Sequence, residues 1–152
     1  MLTTPSLENL SVDTTESILV RASIETTIDS MIVQLGRQNE LPDGTPFPMV
    51  IEPFPGGRWY RDLGSNNGHL WGHVQSIKRP TLLEIYGPLF ISYPVASNLM
   101  YRLKEVDGGT EIAFRHSAFG LIPDDHRMRM GDGWKSWLSR IRAGAEGTVK
   151  GV

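Results

Sequence analysis

Between Pro123 and Ala145 the chain reads PDDHRMRMGDGWKSWLSRIRAGA, and Met130, Trp134, Trp137, Leu138, Ile141 and Ala145 recur at spacings of three and four. On a helix this pattern places two indoles and two branched aliphatic side chains on one stripe. Such a stripe is stable only against a large apolar surface, so the rest of the chain must supply one. Asp124 and Asp125 in the first turn, with Arg140 and Arg142 in the last, suit the helix dipole. Gly131 and Gly133 fit less well, since each costs about 1 kcal/mol against Ala inside a helix. Two readings are open. Either Asp132 caps a second helical segment, or the glycines let the backbone approach a strand or leave room for a ligand.

Upstream, Ser17 to Ala22 (SILVRA) is a short β-rich run. Ser23 then caps a helix whose apolar positions are Ile24, Ile28, Met31, Ile32 and Leu35, and Gly36 is placed to close it in a left-handed conformation. The segment from Gln38 to Pro48, rich in proline, reads as a long surface loop. From Met49 the period becomes that of strands: MVIEPF, RWYRDL, HLWGHVQSIK and TLLEIY, separated by short turns, form an antiparallel meander. The following GPLFISYP is apolar for a loop and is expected to fold over something or face a partner.

The last hairpin gives the sharpest local signal. Two strands, Ala96 to Val106 and Gly109 to Ala118, flank Asp107-Gly108, a two-residue turn that matches strand twist. With Val106 opposite Gly109, Leu103 pairs with Ile112, Tyr101 with Phe114 and Leu99 with His116. One face is then apolar and ends in a histidine.

At 152 residues the chain fits one domain, expected over residues 16–146 with a flexible arm at 1–15 and a flexible tail at 147–152. There is no cysteine, which excludes disulfides, thiolate metal sites and a cysteine nucleophile. A net charge of -2 with interspersed signs argues against a nucleic-acid-binding face. The N-terminus has no signal-peptide pattern and no apolar run is long enough to span a bilayer, so a cytoplasmic protein is expected. The fold class is α+β: a curved antiparallel sheet of about seven strands around a long C-terminal helix, with a short helix after the first strand.

The segments PGGRWYRDL, HLWGHVQSIKRPTLLEI, DGGTEIAFRHSAFG and GDGWKSWL, in this order, resemble the helix-grip superfamily of START lipid-transfer domains, birch-pollen-allergen-type proteins and polyketide cyclases. Within it the chain is similar to the bacterial branch related to the C-terminal domain of the activator of the 90-kDa heat-shock chaperone ATPase. The resemblance runs from about Glu16 to Ala145. It implies a cavity between sheet and terminal helix, and three functions are weighed. The leading one is non-enzymatic binding of a small hydrophobic or amphipathic molecule. The second is a cyclase or hydratase, and the third a chaperone-associated interaction module using the apolar loop, with a homodimer through that loop also open.

Strand parity puts Leu99, Tyr101, Leu103, Ile112, Phe114 and His116 on the inner face, opposite Trp134, Trp137, Leu138 and Ile141. Alignment of TLLEIY with the family pattern turns Leu82, Glu84 and Tyr86 inward, against an alternative in which Leu83 and Ile85 are buried. Trp59 or Tyr60, and Trp71 or Val74, complete the wall. The expected ligand-binding set is thus Trp59, Trp71, Tyr86, Leu99, Tyr101, Phe114, His116, Trp134 and Leu138. For catalysis the candidates are His116, Glu84 and Tyr101: a histidine titrates near neutrality, and a carboxylate on an inner face must be paired, protonated or at a ligand. The bland alternatives are a histidine bonded within the fold and a glutamate in solvent. His69 and His73 share a face with Trp71 by regular parity, but no third ligand joins them, so no metal is expected, and no cofactor.

Overall fold

A computed structural model describes residues 10–92 and 94–147. In chain order the elements are β1 (Ser11–Val20), α1 (Ile24–Leu35), β2 (Val50–Ile51), β3 (Arg58–Gly64), β4 (Asn67–Lys78), β5 (Leu82–Gly87), β6 (Val95–Val106), β7 (Gly109–Gly120) and α2 (Asp124–Ala145). All seven strands join one antiparallel sheet in the order β1-β7-β6-β5-β4-β3-β2. The chain therefore runs as a meander from β2 to β7, and β1 returns to the far edge beside β7. One face of this curved sheet and the apolar stripes of both helices share a single core, in which Trp134, Trp137, Leu138 and Ile141 of α2 are buried.

The β6–β7 hairpin has the expected register, with Val106 opposite Gly109, Tyr101 opposite Phe114 and Leu99 opposite His116. The turn glycine Gly108 has a φ of 84°, a conformation that side chains disfavour. Ser23 caps α1, its hydroxyl accepting from the Thr26 amide at 3.1 Å. Gly36 does not take the expected left-handed conformation. Its φ is -103°, and the constraint there is room: a Cβ would press on the Ile32 carbonyl and the Ile51 side chain.

Three expectations at the strands need correction. The flexible arm does not extend to residue 15, because β1 begins at Ser11. Val12 packs inward opposite Ala118, and Asp13 forms a two-pronged ion pair with Arg115 on the other face, both contacts at 2.8 Å. Residues 1–9, and the tail from 148 on, lie outside the described residues. MVIEPF contributes only Val50 and Ile51 to the sheet. Beyond them the Glu52 carboxylate turns back to take the Arg58 amide and guanidinium, closing a turn instead of extending a strand. In β5, Leu83 and Ile85 face the core, and Glu84 and Tyr86 lie on the outer face.

β4 is irregular, and the irregularity decides the cavity wall. Tyr60 pairs with Leu70 but Trp59 pairs with Gly72, so Trp71 is an extra residue in the strand, a β-bulge. A second shift falls between Val74 and Ser76. The bulge lets Trp71 and Val74 both face inward, although sequence parity made them alternatives. It also sends His73 to the outer face, where its ring stacks on Tyr86 with centroids 5.7 Å apart. His73 therefore does not share a face with Trp71, as a regular strand would require.

The apolar loop folds over this bulge. The Leu89 amide donates to the Trp71 carbonyl at 2.8 Å, and Leu89 and Ile91 are buried while Phe90 stays half-exposed. Leu89 holds a φ of 60°, which costs a non-glycine residue on the order of 1–2 kcal/mol, offset by complete burial of its side chain. Leu89→Ala is accordingly expected to lower stability by about 2–4 kcal/mol in urea unfolding, against less than about 1 kcal/mol for Phe90→Ala. Equal losses for the two variants would mean that the loop is not anchored through Leu89.

Candidate functional site

The core between β6, β7 and α2 is apolar and shut from solvent. Leu99, Tyr101, Phe114 and His116 meet Trp134 and Leu138 there, and all are buried. The open space lies to one side. A cavity of about 460 Å³, within the usual range for small-molecule sites, separates α2 from β4 and from the two loops beside it. The 38–48 loop contributes Asn39, Glu40, Leu41, Pro42 and Phe47, and the sheet contributes Trp71 with Phe90 above it. Across the gap, α2 presents Met130, Gly133, Trp134 and Trp137, with His126, Arg129 and Arg140 around them.

The sequence explains this opening at Gly133. α2 runs unbroken from Asp124 to Ala145, so Asp132 does not cap a second segment. Nor do the glycines allow a close backbone approach: a Cβ built on Gly131 or Gly133 meets nothing within 4 Å. Gly133 lines the cavity, and its missing side chain is space.

The aromatic residues form a continuous series of ring contacts. It runs from Tyr101 to Phe114 (4.9 Å), Trp134 (5.2 Å), Trp137 (5.6 Å), Trp59 (5.7 Å), Trp71 (5.1 Å) and Phe90 (5.7 Å). Its members do different work. Tyr101, Phe114 and Trp59 back the wall from within the core, and Trp59 is fixed by donating its indole N–H to the Leu35 carbonyl at 2.8 Å. Trp134, Trp137, Trp71 and Phe90 face the cavity.

Of the expected ligand-binding set, therefore, the structure brings Trp71 and Trp134 to the cavity. Trp59, Leu99, Tyr101, Phe114, His116 and Leu138 stand behind it, and Tyr86 lies on the opposite side of the sheet, half-exposed. Phe47 and Arg140 went unrecognised. Phe47 sits in a proline-rich loop, where its only signal was being aromatic at all, and Arg140 was absorbed into the helix-dipole pattern.

The three catalytic candidates do not converge. Glu84, on the outer face, accepts hydrogen bonds from Ser76 (2.6 Å) and Asn98 (2.8 Å). Tyr101 is fully buried, which pushes its phenol well above its ordinary pKa. His116 is also buried, and its two ring nitrogens have partners: Trp134 Nε1 lies 3.0 Å from Nδ1 and Ser97 Oγ 3.2 Å from Nε2. An indole N–H only donates, so Nδ1 is the acceptor and the ring hydrogen sits on Nε2, directed at Ser97. This histidine orients a cavity tryptophan from behind. Desolvation, weakly opposed by the charge of Asp13, lowers its pKa to about 4.

Among the described residues no group of three or more His, Asp or Glu side chains is placed to hold a metal ion. Also among them, no helix is long and apolar enough to cross a membrane. A second hollow, of about 620 Å³, lies over Ala113 on the outer face, bordered by Asn98, Arg102, Arg115 and Ser117. Its rim is polar and includes the exposed Arg115 of the Asp13 ion pair.

Comparison with known proteins places this geometry. Residues 41–146 match the family model described as "Activator of Hsp90 ATPase homolog 1-like protein". The chain belongs to that family. The match spans the whole cavity, from Leu41 to Arg140, except Asn39 and Glu40. Solved structures agree on the helix-grip fold. The di-domain ARO/CYC protein StfQ of the steffimycin biosynthetic pathway superposes with a TM-score of 0.65 at 11% identity over 93% of this chain. The chain spans 53% of the length of StfQ. Ara h 8.0201 gives 0.67 at 12% identity, covering 90% of this chain and 99% of that one. An uncharacterised protein from Rhizobium leguminosarum gives 0.67 at 16% identity, over 90% and 95% of the two chains. No curated protein matches the sequence significantly.

The buried histidine makes stability depend on pH. Unfolded, its ring binds a proton as pH falls through about 6.5, whereas the folded ring stays neutral down to about 4. Its contribution is thus complete above pH 6.5 and is lost as pH falls through that window, by about 3 kcal/mol in total. Unfolding free energies measured across it should fall steeply for the natural protein and less steeply for His116→Gln. Parallel slopes would show that His116 is not the group responsible.

Proposed function

We propose that this domain binds a small hydrophobic or amphipathic molecule in the cavity between α2, β4 and the 38–48 loop. The observation that carries the reading is a 460 Å³ space walled by Phe47, Trp71, Phe90, Trp134 and Trp137, beside a core whose apolar residues are shut from solvent. Aromatic walls around an open volume supply the main favourable term for an apolar ligand, removal of its surface from water. Gly133 supports it further, because a helix otherwise gains from replacing glycine there.

Neither rival draws comparable support. The hydratase reading rested on His116, Glu84 and Tyr101 acting together, and Glu84 lies on the opposite face from the other two. For the interaction module, the loop that motivated it spends Leu89 and Ile91 on this protein's own core and directs Phe90 to the cavity.

Native mass spectrometry of freshly purified protein, with identification of anything released on denaturation, tests the proposal directly. A co-purifying apolar compound is expected. Gly133→Leu, which places a side chain in the cavity, should lower affinity for that compound by at least about tenfold while leaving the fold intact by circular dichroism. A clean apo mass together with no uptake from a panel of aromatic and lipid compounds would overturn the reading.

A further inference from the structure

We infer that the cavity is gated by a proton: when the buried ring of His116 takes one up on Nδ1, the hydrogen bond that holds Trp134 in the wall is lost and the bound ligand is released. The inference rests on the binding reading above and adds the group that regulates it.

The two partners of the ring differ in what they can do. In the neutral form Nδ1 accepts from Trp134 Nε1 at 3.0 Å, and Nε2 faces Ser97 Oγ at 3.2 Å. A protonated imidazole carries hydrogens on both nitrogens, and an indole N–H has no acceptor to offer. Proton uptake therefore sets two donors against each other in a site closed to solvent. The Ser97 hydroxyl answers a donor by rotating, whereas the Trp134 indole must leave Nδ1. Trp134 in turn is stacked on Trp137 with planes 19° apart, and both indoles line the cavity, so the displacement reaches two of its walls.

No neighbour stabilises the proton in place. β1 sets Thr14 opposite His116, with Asp13 beside it committed to Arg115 on the other face, and Glu16 two residues on meeting Lys135 of α2 at 3.8 Å. β6 brings Ser97, Leu99 and Tyr101, none of them charged, since burial holds the Tyr101 phenol protonated. β7 itself adds Arg115, and α2 adds Arg127 and Lys135, all positive. Of these charges Asp13 alone acts on the ring, and desolvation outweighs it, so the folded ring stays neutral down to about 4.

The closed wall thus requires a neutral His116, and the wall with Trp134 displaced accepts the proton. A ligand packed on Trp134 holds the closed form. Proton and ligand then compete, each weakening the other by the same factor.

The uncharged fluorescent aromatic N-phenyl-1-naphthylamine serves as probe, because its own charge is constant from neutral pH to well below the His116 midpoint. Its affinity for the full chain should be level above that midpoint, read from the ring C–H signals by NMR, and should fall about tenfold per pH unit below it, with the helical far-ultraviolet signal retained. Saturating probe should move the midpoint to an at least about tenfold higher proton concentration. His116→Gln, whose amide accepts from Trp134 and donates to Ser97 but takes up no proton, should flatten the dependence. Should that variant disturb the fold by circular dichroism, Trp134→Phe replaces it, keeping a ring on the wall and removing the opposing N–H. Glu40 and His126 also line the cavity, and they act alike in the natural protein and in the variants. Equal slopes in natural protein and variant, or a His116 midpoint indifferent to the probe, would overturn the gate and leave the cavity reading standing. So would loss of the helical signal at the same pH as loss of the probe, which would make release a matter of unfolding. A probe that does not bind at pH 7 would remove the cavity reading itself, and the gate with it.

Discussion

The extra residue in β4 at Trp71 governs more of this structure than any other single feature. By inserting one residue against β3, the bulge turns an indole inward and leaves its carbonyl unclaimed by the regular ladder. That carbonyl takes the Leu89 amide. A side chain on Gly87 would collide with it, so the glycine is what lets the chain pass. Leu89 accepts a left-handed backbone to make the turn, and as a result Phe90 stands over the cavity with Ile91 sealed beneath. Sheet wall, loop and ring arrangement thus share one origin.

The opposite wall is held by a different device. Trp134 is fixed through the hydrogen bond from its indole to His116, which is itself tied to Ser97. A neutral, fully bonded histidine in a core is compatible with stability only because each of its nitrogens is satisfied. The same arrangement removes it from chemistry, since no lone pair or hydrogen remains for a substrate. α1 locks the other end of α2 by a buried hydrogen bond from the Ser30 hydroxyl to the Ile141 carbonyl at 2.8 Å. Two separate ties hold the C-terminal helix in place, at Trp134 and at Ile141, and Gly133, one residue before the first, keeps the wall open.

Sequence showed the fold well wherever a local signal set the register. Asp107-Gly108 fixed the pairing of β6 with β7, and the spacing of Met130, Trp134, Trp137 and Ile141 fixed the buried face of α2. It failed where parity was the only guide. In LLEIY both alternations contain apolar residues, and only the match of Ile85 to Leu99 and Val74 across the sheet decides which one is inner. A single inserted residue leaves no trace in a period, so Trp71 and His73 were placed on one face when they occupy two. β1 was read six residues late because Val12 to Glu16 are mostly polar, and their strand character comes from pairing with β7. The candidate site was half visible: the indoles announced themselves by size, whereas the proline-rich loop and Arg140 take their roles only from what the fold sets opposite them.

All four tryptophans of the chain belong to the one series of ring contacts that joins α2 to β3 and β4. At these separations excitation passes readily from indole to indole, so the protein's ultraviolet emission behaves as one lamp rather than four. That lamp sits at the seam between helix and sheet. The outer face, β1 and α1 carry no indole, so the indole emission of the molecule reports the clasp of α2 on the sheet.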